Sequence, residues 1–119
     1  MMVVGLNIII VCNNMKREFY VSDEVAIQLR QKGYPQEETD IRLVDGTAVP
    51  SYMEVHEWFR LKGICIDINS SWFTEVDVWD CTTNYSTSDG DVVSLYSDVW
   101  ETPNLAMEKI IKKILNYEK

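Results

Sequence analysis

Apolar and polar positions along this chain follow two periods, and the change between them falls near Gly63. Before it the spacing is helical. Val25, Ala26 and Leu29 fall on one face of an element that Ser22 is placed to cap. Asp23 and Glu24 occupy its first turn, where the macrodipole favours negative charge, and Gly33 suits its end. "DIRLVDGTAV" predicts a short hairpin, because Asp45-Gly46 between apolar residues favours a type I′ turn. Ser51 and Glu54 have the S-x-x-E spacing of a capping box, which predicts a helix from about Tyr52 to Lys62. At about 100° per residue, Tyr52, Val55, Trp58, Phe59 and Leu61 share one broad face, while Glu57 and Arg60 point away.

After Gly63 the period becomes two. Ile64, Ile66 and Ile68 alternate with Cys65, Asp67 and Asn69, and Thr74, Val76 and Val78 alternate with Glu75, Asp77 and Trp79. Ser70 and Ser71 fit between them as a tight connection, which predicts a hairpin with one apolar face. "TTNYSTSDGD" reads as a loop leading to a third strand near Val92 to Val99. Thr102 and Pro103 then open a last helix, the threonine as cap and the proline at the first helical position. Ala106, Met107, Ile110, Ile111, Ile114 and Tyr117 form its apolar stripe, opposite Lys109, Lys112 and Lys113. The expected class is α+β: a mainly antiparallel sheet of about four to five strands with about three helices packed on it.

The opening, "MMVVGLNIIIVCNN", matches no targeting signal. No Lys or Arg precedes Lys16, Gly5 and Asn7 interrupt the run from Val3 to Val11, and no small-residue cleavage site follows. The run is also well short of the ~20 residues that span a bilayer. Its β-branched density (Val3, Val4, Ile8, Ile9, Ile10, Val11) predicts a strand, paired with the sheet or with a second chain.

The 119 residues make one domain the expectation over 1–119, with residues 1–14 as an extra N-terminal strand. A charged fraction of 25% and a hydrophobic fraction of 46% are those of a globular protein. Cysteine is sparse: Cys12, Cys65 and Cys81 form no C-x-x-C, which points to reduced, mostly buried thiols in the cytoplasm. Charge changes the picture more. The chain has 19 acidic and 11 basic residues, and between residues 63 and 108 there is no Lys or Arg at all. That stretch holds Asp67, Glu75, Asp77, Asp80, Asp89, Asp91, Asp98, Glu101 and Glu108. Nucleic acid is thereby a poor partner, since phosphate neutralisation needs clustered cations. A basic protein surface is a better one, and a second copy of the chain is the other partner to consider. Neither a membrane nor a cofactor is expected.

Candidate chemistry is thin. Asp67, Glu75 and Asp77 fall on the polar side of the expected hairpin, with Asp67 roughly opposite Glu75 if the connection is Ser70 to Trp72. Opposed like charges ask for a cation, and oxygen ligands suit Ca²⁺ or Mg²⁺. No D-x-D-x-D-G loop frames them, so a solvated face is the simpler account. His56, the lone histidine, lies beside Tyr52 and Phe59 with no H-E-x-x-H or nucleophile motif around it, and a structural hydrogen bond is its default role. No glycine-rich phosphate loop exists. No catalytic residue is assigned.

Three blocks of the chain resemble a group of small proteins from bacterial prophages and mobile elements. They are "MKREFYVSDEVAIQLRQKGYPQE", "AVPSYMEVHEWFRLKGICIDINSSW" and "VWETPNLAMEKIIKKIL". Pro50, Ser51, Val55, Trp58, Phe59 and Arg60 fit the group's P-[ST]-x-x-x-[VA]-x-x-W-[FL]-R helix. Glu101, Thr102 and Ala106 fit its closing helix, where Pro103 and Asn104 depart from the usual aromatic and acidic residues. That group has no assigned activity, cofactor or catalytic residue, so the resemblance implies a setting and no chemistry. Its members begin near the equivalent of Met15, which makes Met15 a second start and residues 1–14 an addition.

Two functions fit these features. One is a non-enzymatic accessory or adaptor protein acting through protein contacts, with Asp67, Glu75, Asp77 and Asp80 as its surface. The other is a divalent-metal module or metal-dependent enzyme built on Asp67, Glu75 and Asp77. For the opening run, a chain started at Met15 is expected to melt lower or to change its mass in solution; light scattering and a thermal melt that match the full chain would make the run dispensable.

Overall fold

The computed structural model describes residues 8–9, 17–37, 41–73 and 76–117. They group into two compact units, Met1–Tyr52 and Met53–Lys119.

In the first unit, β1 (Ile8–Ile9) pairs antiparallel with β2 (Arg42–Leu43), Ile8 opposite Leu43. Of the strand expected over Val3 to Val11, these two residues are the described part; the rest of that run, with Cys12 and Met15, lies outside the described residues. Helix α1 (Asp23–Gln31) begins where Ser22 Oγ accepts the Val25 amide at 3.2 Å. Such a cap contributes about 1 kcal/mol. Arg17 adds an ion pair to Asp23 at 2.8 Å, and Val25, Ala26 and Leu29 turn inward as their spacing predicts. Behind β2 the chain reverses, but not through a type I′ turn. Leu43 N–H donates to Thr47 C=O (2.8 Å) and Gly46 N–H to Leu43 C=O (2.9 Å), which leaves three residues in the loop. Gly46 has φ 91° while Asp45 stays at negative φ. This is a type I turn closed by a left-handed glycine, the G1-bulge form of hairpin. The Asp45 carboxylate accepts the Thr47 amide at 2.9 Å, and that bond stabilises the longer loop over the two-residue one.

In the second unit, α2 (Tyr52–Leu61) buries Val55 and Phe59. Leu61, assigned to the same face by its spacing, is 72% exposed, because it sits on the far side of the last turn. Strands β3 (Ile66–Phe73), β4 (Val76–Ser86) and β5 (Val92–Tyr96) follow as an antiparallel meander in the order β3-β4-β5. Helix α3 (Pro103–Tyr117) lies against all three strands. Thr102 Oγ1 accepts the Leu105 amide at 3.1 Å, so the threonine caps as expected. Ala106, Met107, Ile110, Ile111 and Ile114 are buried, each large aliphatic removing surface worth about 1.5–3 kcal/mol. Tyr117, counted with them, is half exposed, and Leu115 takes its place. The α+β class holds. The single sheet of about four to five strands does not: the described strands form a three-stranded sheet and a separate two-stranded ladder.

Two boundaries differ from those the pattern suggests. Ser70 and Ser71 are not a connection; they belong to β3, opposite Trp79 and Val78. β3 runs on to Phe73 and β4 begins at Val76, and residues 74–75 lie outside the described residues. The stretch read as a loop after Cys81 is strand as far as Ser86, with Cys81, Thr83 and Tyr85 buried at alternate positions. Its turn repeats the first one. Thr87 N–H donates to Asp91 C=O and Gly90 N–H to Thr87 C=O, around Ser88-Asp89-Gly90.

Past β5 the ladder continues through a bulge. Trp79 and Trp100 exchange two N–H···O=C bonds of 2.7 Å, while Thr82 faces Tyr96. Three steps along β4 are thus matched by four on the other side. Asp98 absorbs the extra residue at φ 65°, a left-handed conformation that Asp tolerates and glycine prefers. Asp98→Gly is expected to raise stability by about 0.5–1 kcal/mol and Asp98→Val to lower it by more than that, read as shifts of the urea midpoint at constant m value.

Candidate acidic face of the sheet

Helix α3 covers one face of the meander, and strand alternation decides what remains on the other. Cys81, Thr83 and Tyr85 point toward the helix side, so Asp80, Thr82 and Asn84 point away from it. Register then builds rows across the open face. Asp67 faces Thr82, which faces Tyr96; Asn69 faces Asp80; Asn84 faces Ser94. Asp67 is exposed and Asp80 half-buried, two steps apart along the ladder and on the same face.

The rows are tied by side-chain bonds. Tyr96 Oη donates to Asp80 Oδ2 at 3.1 Å, and Ser94 Oγ donates to Asn84 Oδ1 at 2.6 Å. The other Asp80 oxygen, Oδ1, is shielded from solvent and has no hydrogen-bond partner among the described residues. Burial raises the Tyr96 phenol above its ordinary range, and its bond to Asp80 and the Asp80 and Asp98 charges push the same way. Tyr96 therefore stays a proton donor to the carboxylate throughout the physiological range.

Of the residues the sequence singles out, Asp67 and Asp80 share this face. Asp77 lies opposite Trp72, five ladder steps from Asp67, or about 17 Å at strand rise. The expected opposition of Asp67 and Glu75 is replaced by Asp67 and Thr82, because β3 runs on through Ser70 to Phe73, past the point where the pattern placed the connection. Glu75 lies outside the described residues. A shared ion needs oxygens at about 2.3–2.6 Å, which positions so far apart cannot supply together. No group of three His, Cys, Asp or Glu side chains converges on a metal-sized site among the described residues.

His56 fills the structural role expected of it. Its Nε2 lies 2.8 Å from the Ile66 carbonyl, so that nitrogen carries the proton. Cys65 is exposed, against the expectation of buried thiols, because it precedes β3 on the side away from Ile64 and Ile66. Cys81 is buried under the sheet, and burial first, then the Asp80 charge, pushes its thiol up to about 12. In the first unit, a shallow hollow of about 260 Å³ is lined by Asp23, Ile27, Leu43, Val44 and Asp45. Both its carboxylates are engaged, Asp23 by Arg17 and Asp45 by Thr47 and by Arg30 at 3.7 Å.

Tyr96, Asn84, Ser94 and Thr82 belong to this face and were not singled out by sequence. The signal was present: "CTTNYS" alternates with period two once Cys81 and Tyr85 are taken as inward positions. Among the described residues no helix is long and apolar enough to cross a membrane. No protein-family model matches the chain, and no curated protein or solved structure is significantly similar to it.

The raised Cys81 and Tyr96 values set an alkaline limit. Both groups are neutral in the fold and lose protons more readily once unfolded, so their contribution is whole below about pH 8.5–9 and fades as pH climbs toward 12. The urea midpoint is expected to hold from pH 7 to 8.5 and to fall above 9, less steeply in Cys81→Ala. Under native conditions at pH 8, peptide mapping should find Cys65 alkylated and Cys81 protected until the chain unfolds.

Proposed function

We propose that this protein is a non-enzymatic accessory or adaptor that works by binding another protein, with the open face of β3, β4 and β5 as its docking surface for a basic partner. One observation carries the reading. Asp67 and Asp80 stand on a polar sheet face in a stretch, residues 63 to 108, that contains no Lys or Arg to neutralise them. A face of one sign draws a partner of the other, speeding encounter and fixing orientation more than it deepens affinity. Each exposed pair formed contributes modestly, about 0.2–1 kcal/mol.

The resemblance to small prophage and mobile-element proteins supports an accessory role in that setting. Free Cys65 and Cys81 fit a reducing cytoplasm. A metal module on Asp67, Glu75 and Asp77 has no comparable support.

The test is titration of a short lysine-rich peptide by fluorescence anisotropy. Asp67→Asn with Asp80→Asn keeps an acceptor for Tyr96 Oη and should weaken binding roughly threefold to tenfold, with a flatter salt dependence. Glu37→Gln with Glu101→Gln removes the same charge from other exposed positions and should change binding little. Equal losses in the two double variants would reduce the effect to net charge and remove the face from consideration.

A further inference from the structure

The three-stranded sheet has two lateral edges, and they are not alike. Along β5, Ser97 N–H donates to Cys81 C=O at 3.0 Å, so Ser97 turns its main-chain groups toward β4. Antiparallel pairing alternates that direction residue by residue. Val93 and Leu95 therefore bond β4, and Val92, Ser94 and Tyr96 aim their N–H and C=O groups outward. The same count along β3 turns the Ile66 carbonyl outward, and there His56 Nε2 occupies it at 2.8 Å. The β3 edge is capped at its start by a side chain of α2. The β5 edge has no such cap among the described residues: Val92 is 73% and Tyr96 41% exposed, and Ser94 is exposed as well.

Soluble proteins guard open edges with lysine, proline, inward charges or a bulge within the strand. "VVSLY" has none of these, and the bulge at Asp98 comes only after the strand has ended. An unguarded edge of this kind is a template for one more strand. We infer that β5 is where the partner binds, an extended segment adding beside it as a fourth strand and carrying Lys or Arg at every second position. The inference rests on the docking reading above and specifies its geometry.

Charge selects the occupant. Exposed Asp91 and Asp98 flank the strand, and Asp80 lies one strand in, bonded to Tyr96. Every second side chain of an added strand would project on the open face beside Val92, Ser94 and Tyr96, where a cation meets the Asp80 carboxylate and the Tyr96 ring. The intervening side chains would fall beside buried Val93 and half-buried Leu95, where apolar residues fit. A second copy of the chain would instead bring its own Asp91 and Asp98 to this edge, with a formal charge of −8 on each chain.

The probe is a short peptide alternating lysine and valine, titrated against the full chain. N-methylation of one alternate set of its amides should weaken binding about tenfold or more, and N-methylation of the other set should spare it, since only one set can face β5. Ser94→Pro removes one outward N–H and no main-chain bond to β4, and should give a loss of similar size, while Ser94→Ala, which loses only the side-chain bond to Asn84 that the proline also removes, should bind like the unaltered chain. Amide exchange at Ser94 and Tyr96 should slow in the complex. If both methylated peptides bind as well as the parent, the edge is not used, while docking on the face survives. If the parent peptide does not bind, or binds with no dependence on Asp67 and Asp80, the docking reading itself falls. Should Ser94→Pro fail to fold, the methylated pair tested against the unaltered chain decides the matter.

Discussion

Burial of Ile110, Ile111 and Ile114 against the meander is the constraint on which the second unit depends. A three-stranded sheet has little capacity to exclude water by itself, and one helix with a continuous apolar stripe supplies the missing layer. That stripe can cover only one face. Alternation then forces Cys81, Thr83, Tyr85 and Val93 inward and leaves Asp67, Asp80, Thr82 and Asn84 outside. The acidic face is thus a geometric consequence of where α3 packs, sharpened by a stretch of sequence that carries no cations.

The same economy leaves edges. A closed barrel has none and a larger sheet has few per residue, but a three-stranded meander presents two for very little interior. His56 illustrates how a single side chain can close part of one. Its hydrogen bond to Ile66 ties α2 to the first residue of β3 and occupies a carbonyl that would otherwise face a neighbouring strand. At the other end of the sheet, Asp98 bends the chain out of register so that Trp100 can rejoin β4 opposite Trp79. Trp100 is then held from two sides, its Nε1 donating to the Ser97 carbonyl and Lys109 of α3 lying 4.8 Å over its ring. The bulge links the sheet to the start of the helix that covers it.

Much of this was legible in local chemistry. Ser22 and Thr102 announce helix starts because a side-chain oxygen one position before a helix can do little else as usefully. The stripe on α3 and the inward pair Val55 and Phe59 follow from the 3.6-residue period. Turn placement was harder. Asp45-Gly46 marks a reversal without revealing whether two residues or three stand in the loop, since that depends on which amide the partner strand offers. Ser70 and Ser71 resemble a turn by composition, yet they pair with Val78 and Trp79 because the hairpin's register extends that far. The Asp67–Glu75 opposition failed for the same reason: a shift in register replaces every cross-strand neighbour.

Periods, caps and the absence of cations between residues 63 and 108 are properties of nearby residues, and the sequence alone determined them: an α+β chain, its helix starts, and an acidic sheet region. Only the tertiary structure decided that Asp67 and Asp80 share a face while Asp77 stands five steps away, that Cys65 is exposed and Cys81 buried, and that one sheet edge meets His56 while the other has no such cap among the described residues. Those outcomes turn on pairing between residues distant along the chain. Local propensity is nearly indifferent to register, whereas the packing of α3 against one face selects it.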